Sequence, residues 1–216
     1  MVVILYKNHF SMIVFTLHSN NPNKRDIAAI VNGLKSGKIV IFPTDTQYAM
    51  GCLMSNKSGI DRILQITGKV KKASKLSLIC KDLKQVADHT LPYDNHVFKT
   101  MKRYLPGPYT FILNANNSVT KYFKHNKKEI GIRIPDVVII REILQDLDEP
   151  MVSTTLPLPD GNENIFEETS MLEDLFGSSV DILVFIGALE NNGESTILDC
   201  TGQDIEIIRE GKGEVF

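Results

Sequence analysis

The chain has 216 residues, 43% apolar and 23% charged, which is enough to bury one substantial core and too apolar for a disordered chain. Its formal net charge is −2, and no apolar run approaches the roughly 18 residues needed to span a bilayer. Cys52, Cys80 and Cys200 are odd in number, far apart and without a Cys-x-x-Cys pair, which argues against a disulfide framework or zinc site and fits reduced thiols in a cytoplasm.

At the start, apolar residues 2–5 and 13–14 are separated by Lys7-Asn8-His9, so a continuous signal-peptide core is missing. The apolar spacing of Ile27, Ile30, Val31 and Leu34 predicts an amphipathic helix over 22–36, which Gly37 can end. A buried strand over 39–42 follows, then a polar corner, then a strand over 49–53. Ser58 is placed to cap a helix carrying Ile60, Ile63, Leu64 and Ile66. Beyond a basic loop come a strand over 76–80, helices over 81–87 and 94–105, and strands over 109–113 and 130–134. A helix over 137–147, a strand over 151–154 and a helix over 167–176 precede closing strands over 182–186, 196–198 and 205–208. Strands alternating with helices in this way predict a single α/β (α+β) domain with a mixed sheet.

The corner after the first buried strand, Pro43-Thr44-Asp45-Thr46-Gln47-Tyr48, is the most informative segment. A strand delivers such residues to its carboxyl edge, where open α/β sheets bind ligands. Hydroxyls, a carboxyl and free backbone N–H groups suit a carboxylate, carbonate or phosphate, and a hydroxyl turn joining two strands is the plainer reading. Arg133 alternates with isoleucines in Gly131-Ile132-Arg133-Ile134, so it must reach an anion or meet a buried carboxylate, and the anion is favoured. No Walker loop, dinucleotide fingerprint, His-Glu-x-x-His or nucleophile elbow occurs, and the five histidines show no metal-ligand spacing.

The charge is unevenly spread. Residues 1–135 hold 21 Lys/Arg and 7 Asp/Glu, a balance of +14, whereas residues 136–216 hold 3 and 19, a balance of −16. Either one face meets a polyanion or the two halves interleave and neutralise each other.

Five segments in order resemble the YrdC/YciO family: the Pro-Thr-Asp-Thr corner, Pro106-Gly107-Pro108-Tyr109-Thr110, Gly131-Ile132-Arg133-Ile134-Pro135, Ser195-Thr196-Ile197-Leu198-Asp199 and Ile208-Arg209-Glu210-Gly211. The resemblance implies a twisted α/β fold with a concave basic cavity. It also implies threonylcarbamoyl-AMP chemistry, in which L-threonine and bicarbonate form a carbamate whose oxygen attacks the α-phosphorus of ATP and expels pyrophosphate. That product serves threonylcarbamoyladenosine modification of tRNA. On this resemblance, Thr44, Thr46, Tyr48, Thr110, Arg133, Ser153, Ser195, Thr196 and Arg209 contact substrate or nucleotide. Tyr48 is equally readable as a packed strand residue, and Thr110 as a strand threonine. Lys69, Lys71 and Thr155 take the catalytic positions, and Lys69, Lys71, Lys72 and Lys75 face RNA. Mg2+ arrives with ATP, with no metal site on the protein. Family members begin near Met12, so residues 1–11 are read as an N-terminal extension, or as an extra edge strand, and residues 12–216 as the domain.

Two departures point to the YciO subgroup and away from efficient synthesis. Lys69-Val70-Lys71-Lys72 lacks the arginine and proline of the family's Lys-x-Arg-Pro clamp, and lysine cannot reproduce a bidentate fork. Ser153-Thr154-Thr155-Leu156-Pro157 replaces Ser-Thr-Ser-Ala-Asn, and Pro157 has no amide to offer. The implied activity is therefore weak or redirected, with binding of double-stranded RNA or tRNA without turnover as the alternative.

Overall fold

The first and last described strands form the two opposite edges of one sheet. In a computed structural model, which describes residues 12–68, 76–123, 128–157, 168–189 and 193–215, ten strands lie in the order β1-β8-β2-β3-β7-β4-β6-β5-β9-β10. The strands are β1 (Ile13–Thr16), β2 (Val40–Phe42), β3 (Ala49–Leu53), β4 (Ser77–Ile79), β5 (Tyr109–Asn114), β6 (Glu129–Arg133), β7 (Met151–Thr155), β8 (Ile182–Phe185), β9 (Thr196–Asp199) and β10 (Glu206–Arg209). The helices are α1 (Lys24–Lys35), α2 (Lys57–Ile66), α3 (Leu83–His89), α4 (Asn95–Tyr104), α5 (Asn117–Thr120), α6 (Val138–Gln145) and α7 (Thr169–Phe176). Residues 1–11, read as an extension, lie outside the described residues.

Parallel and antiparallel ladders mix, so the sheet is a mixed one, as the alternation of elements predicts. The order also threads the two oppositely charged halves of the sequence through each other. Arg62 to Asp181 at 3.2 Å is an ion pair that joins them.

Because side chains alternate along a strand, each face of the sheet collects its own core. On one face, Ile41, Met50, Cys52, Leu78, Val152, Phe111, Ile130 and Ile132 pack with apolar residues of α2, α3, α4, α5 and α7. On the other, Val40, Phe42, Ala49, Leu53, Ile79 and Met151 pack under α1 and α6. Among the described residues this second cluster takes nothing from β5, β6, β9 or β10. Among the described residues, the four strands at that end of the face therefore carry no part of this apolar cluster, and small or polar strand residues such as Thr110, Gly131 and Arg133 lie there.

Three local expectations change. The edge strand β1 was not expected, since it pairs in parallel with β8, far along the chain, rather than with any neighbour. Helix α2 is capped by Asn56, whose Oδ1 accepts from Gly59 N at 2.9 Å, while Ser58 sits inside the first turn and donates to the same oxygen. Both are good cap residues, and the chain turn at Ser55 decides for the earlier one. The four-residue helix α5 also goes unpredicted, being too short to show a period.

Candidate functional site: an arginine-centred polar face

Strand register brings the polar residues together. Gly131 pairs with Ser77, Ser77 with Ser153, and Ser153 with Gly51, so these four share one face in a single row across β6, β4, β7 and β3. Arg133 and Thr155 lie on the same face two residues away from that row, and Thr110 lies beside Gly131. A Cβ on Gly131 would stand 2.6 Å from Ser77 Oγ and 3.1 Å from Thr110 Cγ2. Glycine there keeps the floor of the face low.

The corner after β2 closes one end of this row. Thr44 Oγ1 donates to Gln47 O at 2.6 Å and accepts from the backbone N–H groups of Thr46 and Gln47, both at 3.2 Å. That is the hydroxyl turn of the plainer reading. With its one proton used, Thr44 must accept from Thr46 Oγ1 across their 2.9 Å contact. Thr46 Oγ1 in turn accepts from Arg133 Nη2 at 2.9 Å. The hydroxyls thus form a directed chain running from the arginine into the corner.

Arg133 meets the carboxylate rather than a free anion at this nitrogen. Its Nη2 donates to Asp45 Oδ1 at 2.7 Å, and the two side chains are only 11% and 10% exposed. Asp45 Oδ2 accepts from Asp136 N at 3.0 Å, so both carboxylate oxygens are engaged. Burial pulls the Arg133 guanidinium down from its ordinary value, the Asp45 carboxylate opposes this, and the Arg209 charge adds to the lowering. It remains a cation, as arginine does in proteins. Only one nitrogen is anchored. Nε is buried with no hydrogen-bond partner, and Nη1 donates to none of the described residues. Among the described residues the guanidinium is therefore held by Nη2 alone, and the buried Nε lacks an acceptor, a costly arrangement unless something else arrives to accept.

The opposite end of the row is built by β5, β9 and β10. Thr110 Oγ1 and Ser195 Oγ are 2.8 Å apart. Arg209 clamps Ser195, with Nε and Nη2 donating to its carbonyl at 3.0 and 2.8 Å and Nη2 reaching its Oγ at 3.2 Å, while Nη1 pairs with Glu194 at 2.8 Å. Thr196 turns the other way, fully buried, donating to Gly213 O at 2.6 Å and accepting from Gly211 N at 3.0 Å. Tyr48 also lies off the polar face. It is fully buried in the first core, stacked near Phe185, and its hydroxyl donates to Gly187 O at 2.9 Å and accepts from Ile186 N at 3.0 Å. The packed alternative is what the structure shows for Tyr48, because it shares strand parity with Met50 and Cys52 rather than with Gly51.

Thr44, Thr46, Thr110, Arg133, Ser153, Thr155, Ser195 and Arg209 thus gather on or beside one face, and Tyr48 and Thr196 do not. Lys69, Lys71, Lys72 and Lys75 lie outside the described residues. Sequence reasoning missed the part played by Asp45, the floor made by Ser77 and Gly131, and Lys212, whose Nζ donates to Asp45 O at 2.8 Å. Ser77 and Gly131 could have been found as small residues alternating with core residues in their strands; Lys212 left no signal.

The profile of the Sua5/YciO/YrdC family, described as Telomere recombination, matches residues 32–211. The chain belongs to the Sua5/YciO/YrdC family. The Escherichia coli K12 protein named YciO is 33% identical over 93% of this chain and 96% of its own. The crystal structure of E. coli YciO superposes with a TM-score of 0.83, 32% identity and coverage of 94% of this chain and 97% of that one. More distant is the threonylcarbamoyl-AMP synthase of Vibrio vulnificus, 24% identical over 86% of this chain and 98% of its own. P. abyssi Sua5 complexed with L-threonine shares the fold, with a TM-score of 0.76 at 20% identity over 93% of this chain and 58% of that one. The YciO-type domain seen here is thus a mixed α/β domain related to threonylcarbamoyl-AMP synthases. No described helix is long and apolar enough to cross a membrane.

Proposed function

We propose that this YciO-like chain binds the phosphates of ATP or AMP over the polar face and makes or breaks threonylcarbamoyl-AMP slowly, using L-threonine and bicarbonate. The observation that carries this reading is Arg133, held at Nη2 while its buried Nε has no partner. A nucleotide phosphate or a carbamate would satisfy that donor and bring the compensating charge. The reaction suits such a site. The carbamate oxygen attacks the α-phosphorus, pyrophosphate leaves, and the protein need only gather charge and align the reacting groups. In this reading Ser153 and Thr155, two residues apart on one face of β7, hold the amino acid or carbamate end, with Thr110 and Ser195 toward the nucleotide.

Among the described residues no cluster of carboxylates, histidines or cysteines could cage a metal. Both Asp45 oxygens are engaged and Glu194 pairs with Arg209. In this reading Mg2+ enters as part of the nucleotide, bound mainly to phosphate and water. Slow turnover follows from Pro157, two residues past the end of β7, which offers no side-chain amide to substrate. The test is incubation with labelled ATP, threonine and bicarbonate, following pyrophosphate and threonylcarbamoyl-AMP together. Threonine-dependent release of both supports the reading; absence of both in the forward direction, and of ATP from added threonylcarbamoyl-AMP and pyrophosphate in the reverse, overturns it.

A second reading, binding of tRNA or double-stranded RNA in a cytoplasmic protein, rests on the basic run of residues 57–84, with eight Lys/Arg against two acidic residues, since the sheet order interleaves the +14 and −16 halves and removes their overall asymmetry as an argument. It requires affinity that falls steeply with salt, each neutralised phosphate adding about −0.7 to −0.9 to the log–log slope.

A further inference from the structure

The C-terminal segment after β10 is fastened across the end of the polar face. Lys212 N donates to Glu194 O at 2.8 Å, Thr196 holds Gly213 O and Gly211 N, and Tyr109 Oη donates to Glu214 O at 2.7 Å. A Cβ on Gly213 would lie 2.3 Å from the Tyr109 ring, so glycine lets the strap sit flat on that tyrosine. From this fixed backbone the Lys212 side chain crosses to the corner after β2 and donates to Asp45 O at 2.8 Å.

The resting place of this ammonium is unusual for a cation so well placed. It is exposed, its recorded partner is one neutral carbonyl, and no carboxylate among the described residues lies within 4.0 Å. An ammonium has three protons to donate, so two remain for solvent or ligand. The carbonyl it uses belongs to the residue whose carboxylate anchors Arg133, so the two cations meet the same residue of the corner. Asp45 is paired with Arg133 and Glu194 with Arg209, so Lys212 takes neither of these carboxylates as its partner.

Resting on the nucleotide reading above, we propose that Lys212 is a phosphate-binding cation that sets the preference of this site for ligands carrying more phosphate charge. The ammonium keeps its place at the rim on the Asp45 carbonyl and turns its spare protons to a phosphate chain lying against Arg133. A compact charge on a flexible stem can follow such a chain without demanding fork geometry. Attraction at a solvent-exposed rim scales with ligand charge and weakens with salt.

The experiment titrates the full chain with ATP, inorganic pyrophosphate and AMP, without Mg2+, at two salt concentrations, for wild type, Lys212→Met and Lys212→Arg. Methionine keeps the stem and removes the charge. The proposal expects Lys212→Met to weaken ATP and pyrophosphate about 5–20-fold and AMP less than about 3-fold, with the gap narrowing at high salt and recovering in Lys212→Arg. Equal losses for all three probes, accompanied by a lower melting temperature, would make Lys212 a structural tether and overturn the proposal. So would no loss at all. If wild type binds none of the three probes, the nucleotide reading itself fails and takes this inference with it.

Discussion

Replacing Asp45 by alanine tests the arrangement on which the site depends. The substitution removes the acceptor of Arg133 Nη2 at 2.7 Å and of Asp136 N at 3.0 Å, and it leaves a guanidinium only 11% exposed with no carboxylate. Removing one partner of a buried pair costs about 3–5 kcal/mol. The slight exposure of both side chains admits some water, so we expect about 2–4 kcal/mol. For a chain of this length each kcal/mol lowers the melting temperature by about 2–4 °C, which predicts a fall on the order of 5–15 °C. The double variant Asp45→Ala with Arg133→Met removes the stranded charge and should be no less stable than the single variant, since an apolar replacement of a buried pair is often neutral. Thermal and urea unfolding of wild type, both single variants and the double variant supply the full cycle. An Asp45→Ala variant within about 0.5 kcal/mol of wild type would refute the reasoning. So would a double variant that loses the sum of the two single losses.

Tyr48→Phe leaves Gly187 O and Ile186 N without their hydroxyl partner, so it should cost about 1–3 kcal/mol in unfolding while leaving nucleotide affinity unchanged; an affinity loss with intact stability would return Tyr48 to the site. Gly131→Val places branched carbons against Ser77 and Thr110 on the floor of the face and should cut AMP affinity at least 10-fold in a titration, with unchanged binding showing that the ligand lies elsewhere. Desolvation holds the His89 imidazole below its ordinary value of about 6.5. The folded state therefore resists the proton that the unfolded state accepts, and stability should fall as pH drops through 6.5 toward the lowered folded value. His89→Gln, which keeps a partner for Ser118, should flatten that part of the stability profile, and an unchanged slope would assign it to other groups.

The parts of the fold that local sequence encodes were legible, and those made by distant partners were not. The apolar run ending at Pro43 and the spacing of Ile27, Ile30, Val31 and Leu34 mark β2 and α1 because each carries its own period. β1 carries none; its four residues become a strand by pairing with β8. Arg133 announced a need for negative charge through its two isoleucine neighbours, but its partner Asp45 is 88 residues away, and alternation cannot name a partner. Both charges stood in the segments singled out from sequence, yet their pairing changes what the corner does. Thr44 and Thr46 use their hydroxyls to hold the arginine and the turn, and Arg133 is left to present the unpaired donors. Tyr48 was open to both readings because strand parity tells which residues share a face without telling which face is core. Lys212 follows the last motif and has no pattern of its own; only the strap formed by Gly211, Gly213 and Thr196 places it beside Asp45.

The most direct measurement is a calorimetric titration of AMP and Mg-ATP into wild type, Arg133→Lys and Arg133→Ala, with a melting curve for each. If the unpaired Nε and Nη1 await a phosphate, Arg133→Ala should lose about 1–3 kcal/mol of affinity, roughly 5–150-fold. Arg133→Lys should recover only part of it, because lysine lacks the fork. Wild-type affinity in an Arg133→Ala variant that merely melts earlier would contradict the account, leaving Arg133 as a structural partner of Asp45.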